Sequence, residues 1–376
     1  MKLSKVLAGL RQVAPEALAE PWDKVGLHVG SPQRQIKSAL LCIDLTEAVV
    51  TEAVSRRCQL IVAYHPPIFH PLTSLTDGPG SSWKQRALVE AVRHNLAVYS
   101  PHTALDAVRG GMNDWLCAGL GKGTSVPIAS KASPRDEYKV MTFVPPDHAD
   151  KVRQAMDRGG AGWIGKYRQC SFNARGVGTF RPLQGAKPSI GKVGDLEWVE
   201  ELRVEMICSG DRLASVLEEL RKAHPYEEPA IDVFQLEAEP ATKADRAAAV
   251  GAGRLLTLAR PVLAETLADR VKDRLKLGVV KVTPRQSKKK VKTVAVCVGA
   301  GGSLFENTAA DAYVTGEMQH HQALDLTQQG KAVILAGHTN TERPYLPAYR
   351  EKIRKTEAAV VRWRLSRTDR APLDWR

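Results

Sequence analysis

The sequence has no Cys-x-x-Cys pair. Its six cysteines, Cys42, Cys58, Cys117, Cys170, Cys208 and Cys297, are scattered along 376 residues, which excludes a zinc knuckle, gives no disulfide framework and suits reduced thiols in a cytoplasmic setting. No apolar run approaches the length that spans a bilayer, so no membrane partner is expected. Residues 1–11 superficially resemble a targeting peptide, but Lys5 and Arg11 interrupt a short apolar part, and apolar residues at 3, 6, 7, 10 and 13 suit an amphipathic helix better. No Ser, Cys or Thr nucleophile motif stands out. Val298-Gly299-Ala300-Gly301-Gly302-Ser303 has the glycines of an anion-cradling turn but neither the Lys of a P-loop nor dinucleotide spacing.

What is present fits a globular protein with room for two or three domains: 43% hydrophobic and 25% charged residues. A formal charge of +13 favours an anionic partner such as a nucleotide or a phosphorylated small molecule. The basic residues concentrate only at 281–292, with Arg285 and Lys288-Lys289-Lys290. That stretch has no aromatic residue on which a base would stack. It reads as a solvated loop, not as a nucleic-acid surface.

In order, the first helix is followed by the turn-rich segment 20–30, whose Trp22-Asp23 pair reads as packing plus a cap. Residues 39–44 read as strand, 46–57 as a helix capped by Thr46, 60–65 as strand, 82–95 as helix and 96–100 as strand. A further helix at 113–119 stops near Gly121. This βαβ succession predicts a parallel sheet with helices on its faces. Beyond residue 130 the pattern changes to strand 137–144, helix 150–158, strands 169–174 and 202–207, helix 212–223 and strand 230–236, the βαββαβ order of a ferredoxin-like domain. Segment 237–249 reads as a linker, 262–274 as helix and 293–298 as strand. The expected architecture is an α/β domain built from residues 1–130 and 239–376, with an α+β domain inserted at 131–238.

Four strand ends carry chemistry. Leu60-Ile61-Val62-Ala63-Tyr64 runs into His65 and is stopped by Pro66-Pro67; residues 97–101 lead to His102 and Asp106; 311–316 lead to Glu317, His320 and His321; 332–337 lead to His338 and Glu342. The carboxyl edge of an α/β sheet is where loops build sites, so one edge is expected to gather them. His102 and Asp106, Glu317 and His321, and His338 and Glu342 are each four apart, on one face of a helix. Imidazole plus carboxylate without thiolate suits zinc, iron or manganese with positions open to water or substrate, and a carboxylate such as Glu342 is able to bridge two ions. One such pair alone is more often a surface pair; the recurrence at four strand ends is what points to metal. His28, His70, His94 and His148 lack that context and read as packing or surface residues.

Trp22-Asp23-Lys24-Val25-Gly26-Leu27, Tyr64-His65-Pro66-Pro67-Ile68-Phe69, His102-Thr103-Ala104-Leu105-Asp106, Thr315-Gly316-Glu317 with His320-His321, and Gly337-His338 with Thr341-Glu342-Arg343 together resemble the Nif-three-like family, also called the GTP cyclohydrolase type 2 homologues. The middle segment resembles the insert of longer members, similar to the CutA and PII proteins. Its marks are Gly160-Ala161-Gly162, Gly178-Thr179-Phe180-Arg181-Pro182 and His224-Pro225-Tyr226-Glu227-Glu228-Pro229. The resemblance implies one or two divalent ions per chain held by His65, Asp106, His338 and Glu342, the last bridging. It also implies a homohexameric ring with sites facing an internal cavity. Tyr64 stands where the family has the first histidine of a pair. Two expectations follow: the second site is weakened, or Tyr64 serves it as a phenolate. His102, Glu317 and His321 are then expected to move protons or orient ligands. The implied activity is metal-dependent hydrolysis, with GTP as substrate if the family name applies; a non-enzymatic metal-binding scaffold is the alternative.

Overall fold

The computed structural model describes residues 1–131, 138–236, 249–283 and 288–373. They form two compact units, Met1–Lys131 with Lys243–Arg376, and Ala132–Thr242. The linker read at 237–249 falls, except for Ala249, outside the described residues, as does Arg285 of the basic run.

The strands in chain order are β1 Gly26–Val29, β2 Ser38–Cys42, β3 Leu60–Ala63, β4 Ala97–Ser100, β5 Gly123–Val126 and β6 Ala129–Lys131; then β7 Tyr138–Val144, β8 Phe172–Phe180, β9 Glu197–Cys208 and β10 Ile231–Gln235; then β11 Val250–Ala252, β12 Arg254–Leu263, β13 Lys281–Val282, β14 Lys290–Ala300, β15 Ala312–Glu317, β16 Ala332–Leu335 and β17 Arg362–Leu365. The first unit has two principal sheets, of order β1-β4-β3-β2-β17 and β13-β16-β15-β14-β12-β5. In the first, β2, β3 and β4 run parallel and every residue of the three is buried, as strands covered on both faces require. The helices between them start where the sequence says. Thr46 accepts from the Val49 amide, and Ser82 with Gln85 forms a capping box on the helix Trp83–Arg93.

Each sheet borrows a strand from the other half of the chain. β17 pairs in parallel with β2, Arg362 opposite Ser38, and β5 pairs antiparallel with β12. A single hydrophobic cluster then runs from Leu3 through Leu41, Tyr99 and Leu116 to Val294, Ile334 and Trp363. Arg254 pins the halves together. Almost wholly buried, it donates to both Asp114 carboxylate oxygens (2.6 and 3.0 Å) and to the carbonyls of Gly251, Gly253, Ala107 and Val108.

The inserted unit has sheet order β10-β7-β9-β8, all neighbours antiparallel, with helices Pro146–Gly159 and Leu213–Ala223. With the βαββαβ chain order, that is the ferredoxin-like arrangement expected.

Three sequence expectations need correction. The four chemistry-bearing strand ends do not share one sheet edge; they belong to two sheets, β3 and β4 in the first, β15 and β16 in the second. The helix read at 262–274 is Ala264–Leu275, and the residues before it form β12, whose strand character is masked by a register shift between Thr257 and Val262, around Pro261. The basic run is not all loop: Lys281–Val282 pairs with β16, and residues from Lys290 onward belong to β14.

Replacing Arg254 with Ala leaves Asp114 without its ion-pair partner and strips four carbonyls, so the variant is expected to lose about 3–5 kcal/mol of unfolding free energy. Urea unfolding followed by circular dichroism reads this; an unchanged midpoint would mean that the clasp contributes nothing.

Candidate metal centre

The site forms where the carboxyl ends of the two parallel strand groups meet. At the end of β3 the pattern of the sheet continues for two residues, Tyr64 N–H to Cys42 O and His65 N–H to Ile43 O, before Pro66 stops it. The Tyr64 carbonyl accepts from Ser100 Oγ at 2.6 Å. Past β16 the short helix His338–Glu342 brings His338 and Glu342, four apart, onto one side. The outcome is a buried carboxylate between two rings: His338 Nε2 lies 3.3 Å from Glu342 Oε1, and His65 Nε2 lies 3.5 Å from Oε2. Donor atoms of His65, His338 and Glu342 all lie within 4.8 Å of one another.

Three histidines there are held the same way. His65 Nδ1 meets Asp44 Oδ1 at 2.9 Å, His338 Nδ1 meets Glu317 Oε1 at 2.9 Å, and His102 Nδ1 meets Asp23 Oδ1 at 2.7 Å. An ionised carboxylate only accepts, so Nδ1 carries the hydrogen in each pair and Nε2 is the nitrogen left for a ligand. Asp23 is itself fixed by the Thr103 amide at 3.1 Å and the Thr103 hydroxyl. The rings adjoin: His65 lies 5.5 Å from both His102 and His338 by centroid, and Tyr64 lies 5.3 Å from His102. His102 takes φ of +25°, a left-handed backbone that a residue with a Cβ adopts at a cost of about 1–3 kcal/mol. Gly299, φ +65°, closes the floor; a Cβ there would come within 2.7 Å of Glu342 Oε1 and 3.2 Å of His338 Nε2.

The charges bear on what the cluster can hold. Burial opposes the ionisation of Glu342, yet His338 and His65 hold its carboxyl below the usual value. Burial likewise pulls His65 down, but Asp44 and Glu342 more than offset it and raise the imidazole to about 10. The hydrogen bond to Glu342 leads in raising His338 to about 9, against burial. Without a cation, then, the cluster gathers protons. Glu342 Oε2 is buried and has no hydrogen bond among the described residues, a lack that costs about 1–3 kcal/mol or more for a charged group. An orphaned carboxylate oxygen beside two oriented imidazole nitrogens, over a floor kept clear by glycine, fits a divalent cation with nitrogen and oxygen donors.

Tyr64 and Asp106 form a neighbouring pair. The phenol is buried and donates to both Asp106 oxygens, at 2.8 and 2.7 Å. Burial, then the charges of Asp106 and Glu342, push Tyr64 well above its ordinary 10. In this arrangement Tyr64 is a neutral donor, which runs against the phenolate expectation. Burial also lifts Asp106 to about 7.

Of the residues singled out from sequence, the structure gathers His65, His338 and Glu342, sets Tyr64, His102 and Asp106 beside them, and gives Glu317 to His338 as its partner. It does not join His321 to them: that residue is exposed on the helix His320–Gln328, its ring 5.4 Å from His320. Sequence reasoning missed Asp44 and Asp23. Asp44 had a signal, since it follows β2 beside the end of β3; Asp23 lies in a family-like motif but reads there only as a cap, because its partner lies 79 residues away.

The fold and the constellation define an α/β protein with a histidine–carboxylate cluster whose donors could hold a metal ion. A family model described as Duf34/NIF3 (NGG1p interacting factor 3) matches residues 1–372, and the chain belongs to that family. A Halalkalibacterium halodurans protein named GTP cyclohydrolase 1 type 2 homolog is 35% identical over 91% of this chain and 89% of its own length. The Homo sapiens NIF3-like protein 1 is 34% identical over 99% of this chain and 92% of its own. A crystal structure of a Bacillus cereus protein related to NIF3 matches with a TM-score of 0.62 at 30% identity, covering 100% of this chain and 99% of that one. A Staphylococcus aureus structure, TM-score 0.72 at 23% identity with the same coverage, shares the fold.

Both imidazoles sit above their usual 6.5 and are protonated at neutral pH, so metal must displace about two protons. Affinity is therefore expected to rise with pH toward about 9, where His338 loses its proton, and about 10 for His65, and to fall in acid. Calorimetric titration of metal-stripped protein with zinc, repeated in buffers of different ionisation enthalpy, counts the protons; none released would refute the arrangement.

Proposed function

We propose that this protein is a metal-dependent hydrolase acting on a nucleotide or another phosphorylated small molecule, GTP being the first substrate to test. The observation that carries the reading is the buried Glu342 carboxylate, its Oε2 without a hydrogen bond among the described residues, set between two imidazoles whose other nitrogens are locked by acids. His65, His338 and Glu342 would hold a zinc, iron or manganese ion, with Asp106 as a fourth donor. Such an ion, when bound, supplies Lewis acidity and lowers the pKa of a water at neutral pH.

The remaining steps belong to side chains. Asp44 and Glu317 fix the ring orientation of His65 and His338. His102, oriented by Asp23, presents Nε2 to take or return a proton beside the centre. Tyr64 holds Asp106 by its hydroxyl and keeps that carboxyl from swinging. The net positive charge of the chain favours an anionic substrate. A single ion per chain is the stoichiometry this set favours, because Tyr64 offers a hydroxyl where a second imidazole would complete another site. We place these centres in a homohexameric ring, facing its interior.

Metal analysis of protein purified without chelator is expected to give about one ion per chain, and about two in Tyr64→His. Hydrolysis of GTP is expected to vanish in Glu342→Ala and Asp106→Ala and under chelation, and to return when metal is restored to the wild type. Turnover indifferent to chelation would sink the hydrolytic reading; stoichiometric binding with no turnover would favour a metal-holding scaffold.

A further inference from the structure

The metal reading leaves two sequence motifs unused, Gly178-Thr179-Phe180-Arg181-Pro182 and His224-Pro225-Tyr226-Glu227-Glu228-Pro229. Both line one cavity of about 620 Å³ within the inserted unit, a size suited to a small organic ligand. The cavity lies on the sheet face away from the helices: Val204 and Met206 of β9 pack with Val152, Met156, Val216 and Leu220, so Glu201 and Arg203, alternating with them, point to the other side.

Its walls are held in place. His224 Nδ1 accepts from the Tyr226 amide at 3.1 Å, and its Nε2 donates to the Phe143 carbonyl at 3.1 Å. That double bond to the backbone sets the turn from which the Tyr226 ring reaches toward Phe180, centroids 6.1 Å apart. The Tyr226 hydroxyl donates to Glu201 Oε1 at 2.8 Å. The other oxygen, Oε2, lies over the backbone at Gly178, where a Cβ would come within 2.2 Å of it. Among the described residues Oε2 takes no hydrogen bond.

Sign of charge decides what fits. The cavity is lined by Arg175, Lys187, Arg203, Glu201, Glu227 and Glu228, and of these Glu201 alone is not exposed. Arg203 is paired with Glu205 at 2.8 Å, and Glu227 accepts from the Lys187 amide at 2.9 Å. The half-buried group with unused capacity is therefore a carboxylate oxygen in a cavity also lined by two aromatic rings. Carboxylate plus ring faces is the chemistry that recognises an organic cation.

We propose that this cavity binds a small organic ammonium compound with an apolar, aromatic-sized body: Glu201 Oε2 pairs with the ammonium, and Phe180 and Tyr226 pack the body. The site is independent of the metal centre. Three probes of matched size test it on the full chain by calorimetry or saturation-transfer NMR: 2-phenylethylammonium, uncharged 2-phenylethanol and anionic phenylacetate. The ammonium is expected to bind saturably and at least about tenfold more tightly than the alcohol, with phenylacetate weakest. Glu201→Gln, which keeps the shape and removes the charge, is expected to bring the ammonium down to the affinity of the alcohol, with metal content unchanged. Gly178→Val, which crowds Oε2 from an edge strand where β-branched residues are at home, gives the same readout should the glutamine variant fold poorly. Equal binding of the three probes, a preference for phenylacetate, no saturable binding of the ammonium, or an unchanged preference in both variants would overturn the proposal.

Discussion

The parallel pairing of β17 with β2 is the constraint on which the rest of the first unit depends. It sets Arg362 opposite Ser38 and so brings the last strand back to the sheet that holds His65 and His102. The antiparallel pairing of β5 with β12 does the reverse, sending an N-terminal strand into the sheet that holds Glu317 and His338. Residues after β17 add to the tie. Glu52 accepts from the Ser366 hydroxyl and from the amides of Arg367 and Thr368, and these bonds, against burial, hold its carboxyl down at about 2. With both exchanges made, two sets of parallel strand ends face each other, and a carboxylate from one half meets an imidazole from the other.

The centre built there has an inner and an outer layer of charge. Glu342 and the imidazole Nε2 atoms form the inner one. Asp44, Glu317 and Asp23 form the outer one, each on a histidine Nδ1. Burial works to raise Asp44 and Asp23, but their histidine partners hold both carboxyls below the usual value. The outer acids thus do more than orient rings, since they add negative charge that a divalent ion at the cluster would neutralise. Tyr64 sits at the seam of this scheme. As a hydrogen-bonded phenol it ties down Asp106 and contributes no charge of its own.

Much of this was legible in the sequence, and the exceptions have physical reasons. Strands β2 to β4 announce themselves as apolar runs because both their faces are covered, and Thr46 and Ser82 mark helix starts because they satisfy open amides. His338 and Glu342 were readable because four residues make about one helical turn. Asp23 was not, because nothing local distinguishes an acid that caps a turn from one that holds a distant imidazole. β8 runs six residues further than expected, through Gly176 and Gly178, residues that ordinarily weaken a strand; Gly178 leaves room for the Glu201 carboxylate instead. The choice of one sheet edge over two could not come from periodicity, which reports burial of a strand and not its neighbours.

The exchange of strands between the two halves also has a meaning in time. During synthesis His65 and His102 leave the ribosome well before His338 and Glu342, and the outer edge of β2, already paired with β3 on its other side, waits for β17 until residue 365 is made. Contacts that join residue 38 to residue 362 close a very long loop and form late. Neither half alone has a complete sheet or a complete donor set. Loading of an ion at this cluster would therefore report that both halves have been made and have found each other, a check on correct threading built into the donor set.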